Sequence, residues 1–262
     1  MDLLHALSGF LVGLLVGLTG VGGGSLMAPI LILLFGVAPT TAVGTDLWFA
    51  GITKMVGGSI HHSKRAADLV VVRRLATGSI PAAIATIIVL NAMHWSQVKQ
   101  GWLPPALGLV LILTSVATIG RPSLRRWVRT WRGQGERKEK VRRWQMPLTV
   151  FTGAVLGVLV TLTSVGAGAL GATLLIFLYP VRLGAKEIVG TDIVHAIPLT
   201  IVAGIGHLLI GSVDGWLLLN LLMGSIPGIV IGSLLVHRVS EKLVRIALSI
   251  VLVFAGMRLI VF

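Results

Sequence analysis

The stretch Leu18-Thr-Gly-Val-Gly-Gly-Gly-Ser-Leu26 recurs in altered form as Leu162-Thr-Ser-Val-Gly-Ala-Gly-Ala-Leu170, at an offset of 144 residues. A second motif, Val43-Gly-Thr-Asp46, recurs as Val189-Gly-Thr-Asp192 at an offset of 146. Self-similarity at a fixed offset is the signature of an internal repeat. The chain therefore consists of two related halves, and further matches support this division.

The offset of 146 residues also holds for single residues and for a proline motif. It pairs His61 with His207 and Asp68 with Asp214, and it pairs 78–81 with 224–227, both of which read Gly-Ser-Ile-Pro. Five matches in the same order exceed what chance gives in apolar sequence. The repeat is thus predicted to cover most of each half.

The composition predicts that this repeat is embedded in lipid. Hydrophobic residues make up 55% of the 262 positions, charged residues 12%, and the mean hydropathy is +0.95. A soluble domain carries about twice that charged fraction. Apolar runs long enough to form membrane segments occur at 3–19, 20–36, 40–62, 69–91, 101–119, 147–163, 164–181, 186–211, 215–237 and 241–261.

The basic residues predict how the chain is oriented. Net charge is +13, but ten of the 22 Lys and Arg lie in 121–143. Clustering between apolar runs is typical of cytoplasmic loops, and it argues against nucleic-acid binding. We therefore predict a first transmembrane repeat at 1–119, a basic cytoplasmic loop at 120–146 and a second repeat at 147–262, with both termini extracytoplasmic (periplasmic).

This topology predicts two repeats of opposite orientation, because an odd number of crossings separates equivalent positions. The predicted fold is an all-α polytopic membrane protein with two inverted repeats of four to five membrane segments each and with Gly-broken helices. Inverted repeats are common in secondary transporters, which bind substrate at the repeat interface. The first two segments of each half are either full spans or re-entrant hairpins, and the sequence leaves this open.

The repeated Gly-rich, Val-Gly-Thr-Asp and Gly-Ser-Ile-Pro motifs resemble the sulfite exporter TauE/SafE family of membrane permeases. The resemblance covers nearly the whole chain apart from the basic central stretch. It implies transport of a small sulfur oxyanion, such as sulfite, thiosulfate or a sulfonate, across the bacterial inner membrane. The second Gly-rich copy is thinner, with Ala167 and Ala169 where the first has Gly23 and Ser25.

Both Gly-rich stretches are candidate substrate sites, because glycine lets a ligand approach the backbone and a following helix N-terminus favours an anion. The alternative is close packing of small residues between helices. The candidates here are Thr19, Gly22, Gly23, Gly24, Ser25, Thr163, Ser164, Gly166 and Gly168.

Lys54 is the clearest single candidate, because it lies near the middle of an apolar segment where a charge is costly. We predict that it is the counter-charge of an anionic substrate. The alternatives are pairing with Asp46 and snorkelling towards the cytoplasm. Asp46 and Asp192 either cap helix N-termini or relay a proton or cation.

Four neighbours complete the predicted site. Thr45 and Thr191 precede the two aspartates, Trp48 lies close to Lys54 along the chain, and His195 lies mid-segment. His195 either contacts substrate or proton or makes an interhelical hydrogen bond.

The predicted function is a secondary anion transporter that works by alternating access. An anion channel is the main alternative. An intramembrane serine enzyme is disfavoured, because no serine has an evident histidine partner in the sequence. We predict no cofactor and no metal. Partners are the anionic substrate, the lipid bilayer and a coupling proton or sodium ion, and the oligomeric state is left open.

Overall fold

The computed structural model describes residues 2–19, 26–60, 67–93, 101–132, 137–166, 168–180, 182–235 and 238–261. These residues form ten helices and no strand, which confirms the all-α prediction. The helices are α1 (Leu3–Thr19), α2 (Met27–Phe35), α3 (Pro39–Ile60), α4 (Leu69–Ala92), α5 (Leu103–Arg132), α6 (Arg137–Thr163), α7 (Ala169–Leu178), α8 (Ala185–Leu209), α9 (Gly215–Leu235) and α10 (Glu241–Val261).

Six of these helices are long and apolar enough to cross a membrane. They are α4, α8 and α9 together with the apolar parts of α5 (Leu103–Val128), α6 (Trp144–Thr163) and α10 (Lys242–Val261). Large apolar side chains such as Leu34, Leu209 and Leu234 are exposed, as expected of a surface that faces lipid. The chain is therefore a multi-pass membrane protein.

Two helices are too short to span a bilayer. Helix α2 has nine residues and α7 has ten, which corresponds to about 14–15 Å of helix against a hydrocarbon core of about 30 Å. Each follows one of the Gly-rich stretches. The helices described within the segments 20–36 and 164–181 are thus of half length.

The described parts of the predicted cytoplasmic connection at 120–146 are helical, up to Arg132 and from Arg137 on. Helix α5 continues to Arg132 and α6 begins at Arg137. Arg, Lys, Glu and Gln are good helix formers, so only Gly133 and Gly135 weaken helix formation between the two ends. Its cytoplasmic location stays a prediction.

Packing interleaves the two halves of the chain. Helix α1 packs on α9 and α6 on α4, while α3 packs on α8 and α5 on α10. Each of these pairs joins one half to the other. Helices α3 and α8 form the central pair that carries the Val-Gly-Thr-Asp motifs, and α3 also contacts α9 while α8 also contacts α4.

The closest helix contacts recur in both halves. Gly9 and Gly13 of α1 lie against the backbone of Leu221 and Ser225 in α9, so closely that a Cβ atom would overlap it. Gly153 and Gly157 of α6 contact the backbone of Leu75 and Ser79 in α4 in the same way. Because these residues are related by the sequence offsets, the repeat also describes the packing. Its inverted orientation in the membrane stays a prediction.

Candidate functional site

The threonines of the Val-Gly-Thr-Asp motifs tie the two halves together. Thr45 Oγ1 accepts a hydrogen bond from the backbone N–H of Asp214 at 3.1 Å, and Thr191 Oγ1 accepts one from Asp68 at 3.0 Å. Asp214 and Asp68 in turn cap the N-termini of α9 and α4. The two bonds are repeat-equivalent, so these threonines have a structural task whether or not they contact substrate.

Asp46 and Asp192 lie deep in the protein, each as the eighth residue of its helix. One interpretation of the sequence was that these aspartates cap the N-termini of their own helices, and their positions show that they do not. Instead Asp46 Oδ2 accepts the N–H of Ala28 in the first turn of α2, at 3.2 Å. Asp192 Oδ1 lies against Gly171 in the first turn of α7. Each carboxylate thus faces the positive end of a half-length helix.

Lys54 lies between the two carboxylates. Its side chain is 2% exposed, which excludes snorkelling to an aqueous surface. Lys54 interacts electrostatically with Asp192 of α8 and with Asp46 of its own helix. The structure therefore brings Lys54, Asp46 and Asp192 together at the α3–α8 contact.

His195 joins this group from α8. It is 2% exposed and lies close enough to Lys54 for the two to interact electrostatically. Its Nε2 is 2.8 Å from the hydroxyl of Ser79 in α4. We call Asp46, Lys54, Asp192 and His195 the charged cluster.

Ser79 is a site residue that sequence reasoning missed, and it corrects one argument. No serine has an evident histidine partner in the sequence. In the structure, however, Ser79 is hydrogen-bonded to His195, which lies 116 residues further along the chain. A hydrolase would also need hydrogen-bond donors that stabilise an oxyanion beside the serine. In the described part of the chain, the only hydrogen bond that the Ser79 hydroxyl makes is the one with His195. The repeat-equivalent Ser225 makes no hydrogen bond through its hydroxyl there, and Phe49 replaces the histidine.

The second Gly-rich stretch lies beside Asp46. Backbone φ is positive at Ser164, Gly166 and Gly168, and α7 begins immediately afterwards at Ala169. The Ser164 hydroxyl faces the Asp46 carboxylate, but Ser164 Oγ and Asp46 Oδ1 make no hydrogen bond of normal geometry. Ser164 and Asp46 are therefore neighbours in the buried part of the protein.

Thr163 and Trp48 contribute mainly to packing. Thr163 Oγ1 bonds to the carbonyl of Leu159 at 2.6 Å and accepts the N–H of Val165 at 3.2 Å. Trp48 Nε1 donates to the carbonyl of Gly204 at 2.9 Å, which links α3 to α8. The first Gly-rich stretch, with Gly22, Gly23, Gly24 and Ser25, lies outside the described residues, and Thr19 ends α1.

Arg121 is the second residue that sequence reasoning assigned differently. From the sequence, Arg121 belongs to the basic stretch that predicts the orientation of the chain in the membrane. In the structure, its side chain reaches the start of α7. Its guanidinium donates to the carbonyls of Gly168 at 3.1 Å and Ala169 at 2.9 Å. It also acts electrostatically on Asp192. The charged cluster is therefore connected to the basic end of α5.

Within the described residues no group of three or more His, Asp or Glu side chains is arranged to hold a metal ion. The chain has no cysteine. The absence of a metal remains a prediction.

Known proteins resemble the chain over its full length. The family described as sulfite exporter TauE/SafE matches residues 5–259. "Probable membrane transporter protein YjnA" of Bacillus subtilis (strain 168) is 42% identical over 264 residues, covering 97% of this chain and 98% of that protein. "Probable membrane transporter protein YdhB" of the same organism is 27% identical over 265 residues, covering 96% and 97%. No solved structure is a significant match. This multi-pass chain therefore belongs to the sulfite exporter TauE/SafE family of membrane transporters.

Proposed function

We propose that this protein is a secondary transporter that moves a small sulfur oxyanion, such as sulfite, thiosulfate or a sulfonate, by alternating access. The observation that carries the proposal is Lys54, a cation 2% exposed at the contact between the two halves. Buried ionisable residues in membrane proteins mark substrate and ion pathways. Transporters with repeated halves bind substrate at such an interface.

An anion at Lys54 has competitors in the protein itself. Asp46 and Asp192 already interact with Lys54, and Asp46 accepts the N–H of Ala28 at the start of α2. These are the two features, a cation and a helix N-terminus, that would also attract a substrate oxyanion. Substrate binding therefore requires that the carboxylates release them.

Protonation provides that release. A neutral carboxyl group competes less strongly for Lys54 and for the Ala28 N–H, because hydrogen bonds to a charged acceptor are the stronger ones. A proton also balances the charge that an incoming anion adds to a buried site. We therefore propose that the coupling ion is a proton, carried on Asp46 or Asp192. The protonated carboxyl groups and Lys54 would then jointly bind the substrate anion.

Uptake into proteoliposomes tests this proposal. Labelled sulfite, thiosulfate and a small sulfonate are offered under an imposed proton gradient or an imposed sodium gradient. We expect the proton gradient to accelerate uptake and the sodium gradient to have no effect on it. At least one of the variants Asp46→Asn and Asp192→Asn should remove that acceleration, because a carboxamide cannot bind or release the proton.

Glu187→Gln is the matched control, since it removes an exposed carboxylate from the same helix as Asp192. It should leave the response to the gradient unchanged. Uptake driven by sodium and unaffected by both asparagine variants would contradict proton coupling. Large single-channel currents through the purified protein would favour a channel over a carrier.

We further propose that the protein lies in the bacterial inner membrane with both termini outside the cytoplasm. The charge distribution of the sequence supports this orientation. Because the chain has no cysteine, single exposed positions can be labelled from one side. Gly215→Cys, at an exposed position where a side chain meets nothing within 4 Å, should react with an impermeant thiol reagent added outside. Lys186→Cys should react only after the membrane is opened, and the reverse pattern would overturn the orientation.

A further inference from the structure

A cavity of about 540 Å³ lies between α5, α7, α8 and α10. Four arginines line it, namely Arg121, Arg125, Arg126 and Arg245. Among the described residues, the remaining lining side chains are apolar and none is acidic. This arginine cavity is open to the surface at the basic end of α5.

A second cavity differs in its lining. This cavity of about 590 Å³, between α2 and α10, has among its described lining residues a single arginine, Arg258, and otherwise apolar side chains. In the arginine cavity, by contrast, Arg125 Nε is buried and makes no hydrogen bond within the described structure. Four arginines around one cavity, together with this buried donor of Arg125, form a site for an anion with several oxygens.

The arginine cavity is connected to the charged cluster through Arg121. This side chain lines the cavity and also donates to the carbonyls of Gly168 and Ala169 at the start of α7. On its other side it acts electrostatically on Asp192, which in turn interacts with Lys54. Positive and negative groups thus run continuously from the cavity to the proposed transport site.

We propose that the arginine cavity is a second binding site for the transported oxyanion, a vestibule that collects the anion before it reaches Lys54. This inference rests on the proposed function, because it assumes that the anion continues to the charged cluster. Clefts lined by one sign of charge raise the local concentration of an oppositely charged substrate.

Direct binding of labelled thiosulfate to the full chain in nanodiscs of zwitterionic lipid tests the vestibule without requiring transport. Wild type should bind at two sites. Arg125→Gln and Arg245→Gln should each weaken one site by about two- to fivefold, the range of a partly exposed ion pair. The double variant should lose that site, while Lys54→Met should lose the other. Lys242→Gln, an exposed position on the same helix as Arg245, is the control and should bind as wild type does.

The outcomes separate the two proposals. If the arginine variants bind as wild type does, the vestibule is refuted whatever Lys54→Met shows. If only Lys54→Met has no effect, the proposed transport site fails and the cavity still binds the anion. Nanodiscs that contain phosphatidylglycerol provide a second test. If that lipid abolishes binding at the arginine site and is itself retained only by wild type, the cavity holds a lipid phosphate, which overturns the vestibule.

Discussion

Replacing Gly224 by alanine tests the packing that holds the two halves together. A Cβ atom at Gly224 in α9 would overlap the backbone carbonyl of Ala6 in α1 and lie 2.8 Å from the backbone nitrogen of Phe10. Neither atom can move by rotating a side chain. The two helices must therefore separate along this contact.

The size of the effect follows from two opposing terms. Overpacking costs about 1–3 kcal/mol, and a backbone overlap belongs at about the upper end of that range. Alanine recovers about 1 kcal/mol through its better helix propensity. A net loss of about 2 kcal/mol corresponds to a decrease of about 4–8 °C in Tm for a protein of this size.

Thermal unfolding of the detergent-solubilised protein, followed by its elution on size exclusion, measures this decrease. Gly78→Ala is the repeat-equivalent variant, overlaps the carbonyl of Val150, and should behave like Gly224→Ala. Gly215→Ala on the same helix as Gly224 is the control, because its Cβ would meet nothing within 4 Å. If Gly224→Ala unfolds at the temperature of wild type, or if the control falls equally, the close contact of α1 and α9 is refuted.

Four further substitutions test individual contacts by the same thermal measurement. Ser79→Ala and His195→Phe should each lower the free energy of unfolding by about 1–3 kcal/mol, because each leaves a buried polar group without its hydrogen-bond partner. The double variant should lose less than the sum of the two, and additive losses would show that the two side chains do not interact. Thr191→Val should lower stability by about 1–2 kcal/mol, since it leaves the N–H of Asp68 without its acceptor, and an unchanged Tm would contradict that. Arg182→Gln removes the ion pair with Asp68, whose two side chains are 44% and 18% exposed. It should change stability by less than about 1 kcal/mol, and a larger loss would show that this pair is structural.

Most of the helices could be predicted from the sequence because apolar runs end where charged or turn-forming residues begin. The run at 69–91 corresponds to Leu69–Ala92 and the run at 241–261 to Glu241–Val261. The end of the run at 101–119 did not show where its helix ends, because hydropathy marks the edge of lipid and not the end of a helix. Helix α5 therefore continues past 119 to Arg132. The length of α7 could not be predicted, because an apolar run does not show where a helix begins within it.

The site could be predicted only as far as the repeat reaches. Asp46 and Asp192 were identified because the same motif occurs in both halves, and Lys54 because it is a charge in an apolar run. The bond between Ser79 and His195 could not be predicted, because Phe49 takes the place of histidine in the other half and the repeat gave no signal. Arg121 was assigned by its charge to orientation, although its position in the fold places it at α7.

Transport by a Lys54→Met variant tests the central claim most directly. Methionine keeps most of the length of the lysine side chain and removes its charge, and Lys186→Met removes an exposed lysine of α8 as the control. Each protein is reconstituted, its folding is checked by Tm, and uptake of labelled thiosulfate is measured against concentration. The account predicts saturable uptake by wild type and by Lys186→Met, and none by folded Lys54→Met. Saturable uptake by Lys54→Met with the KM of wild type would contradict it.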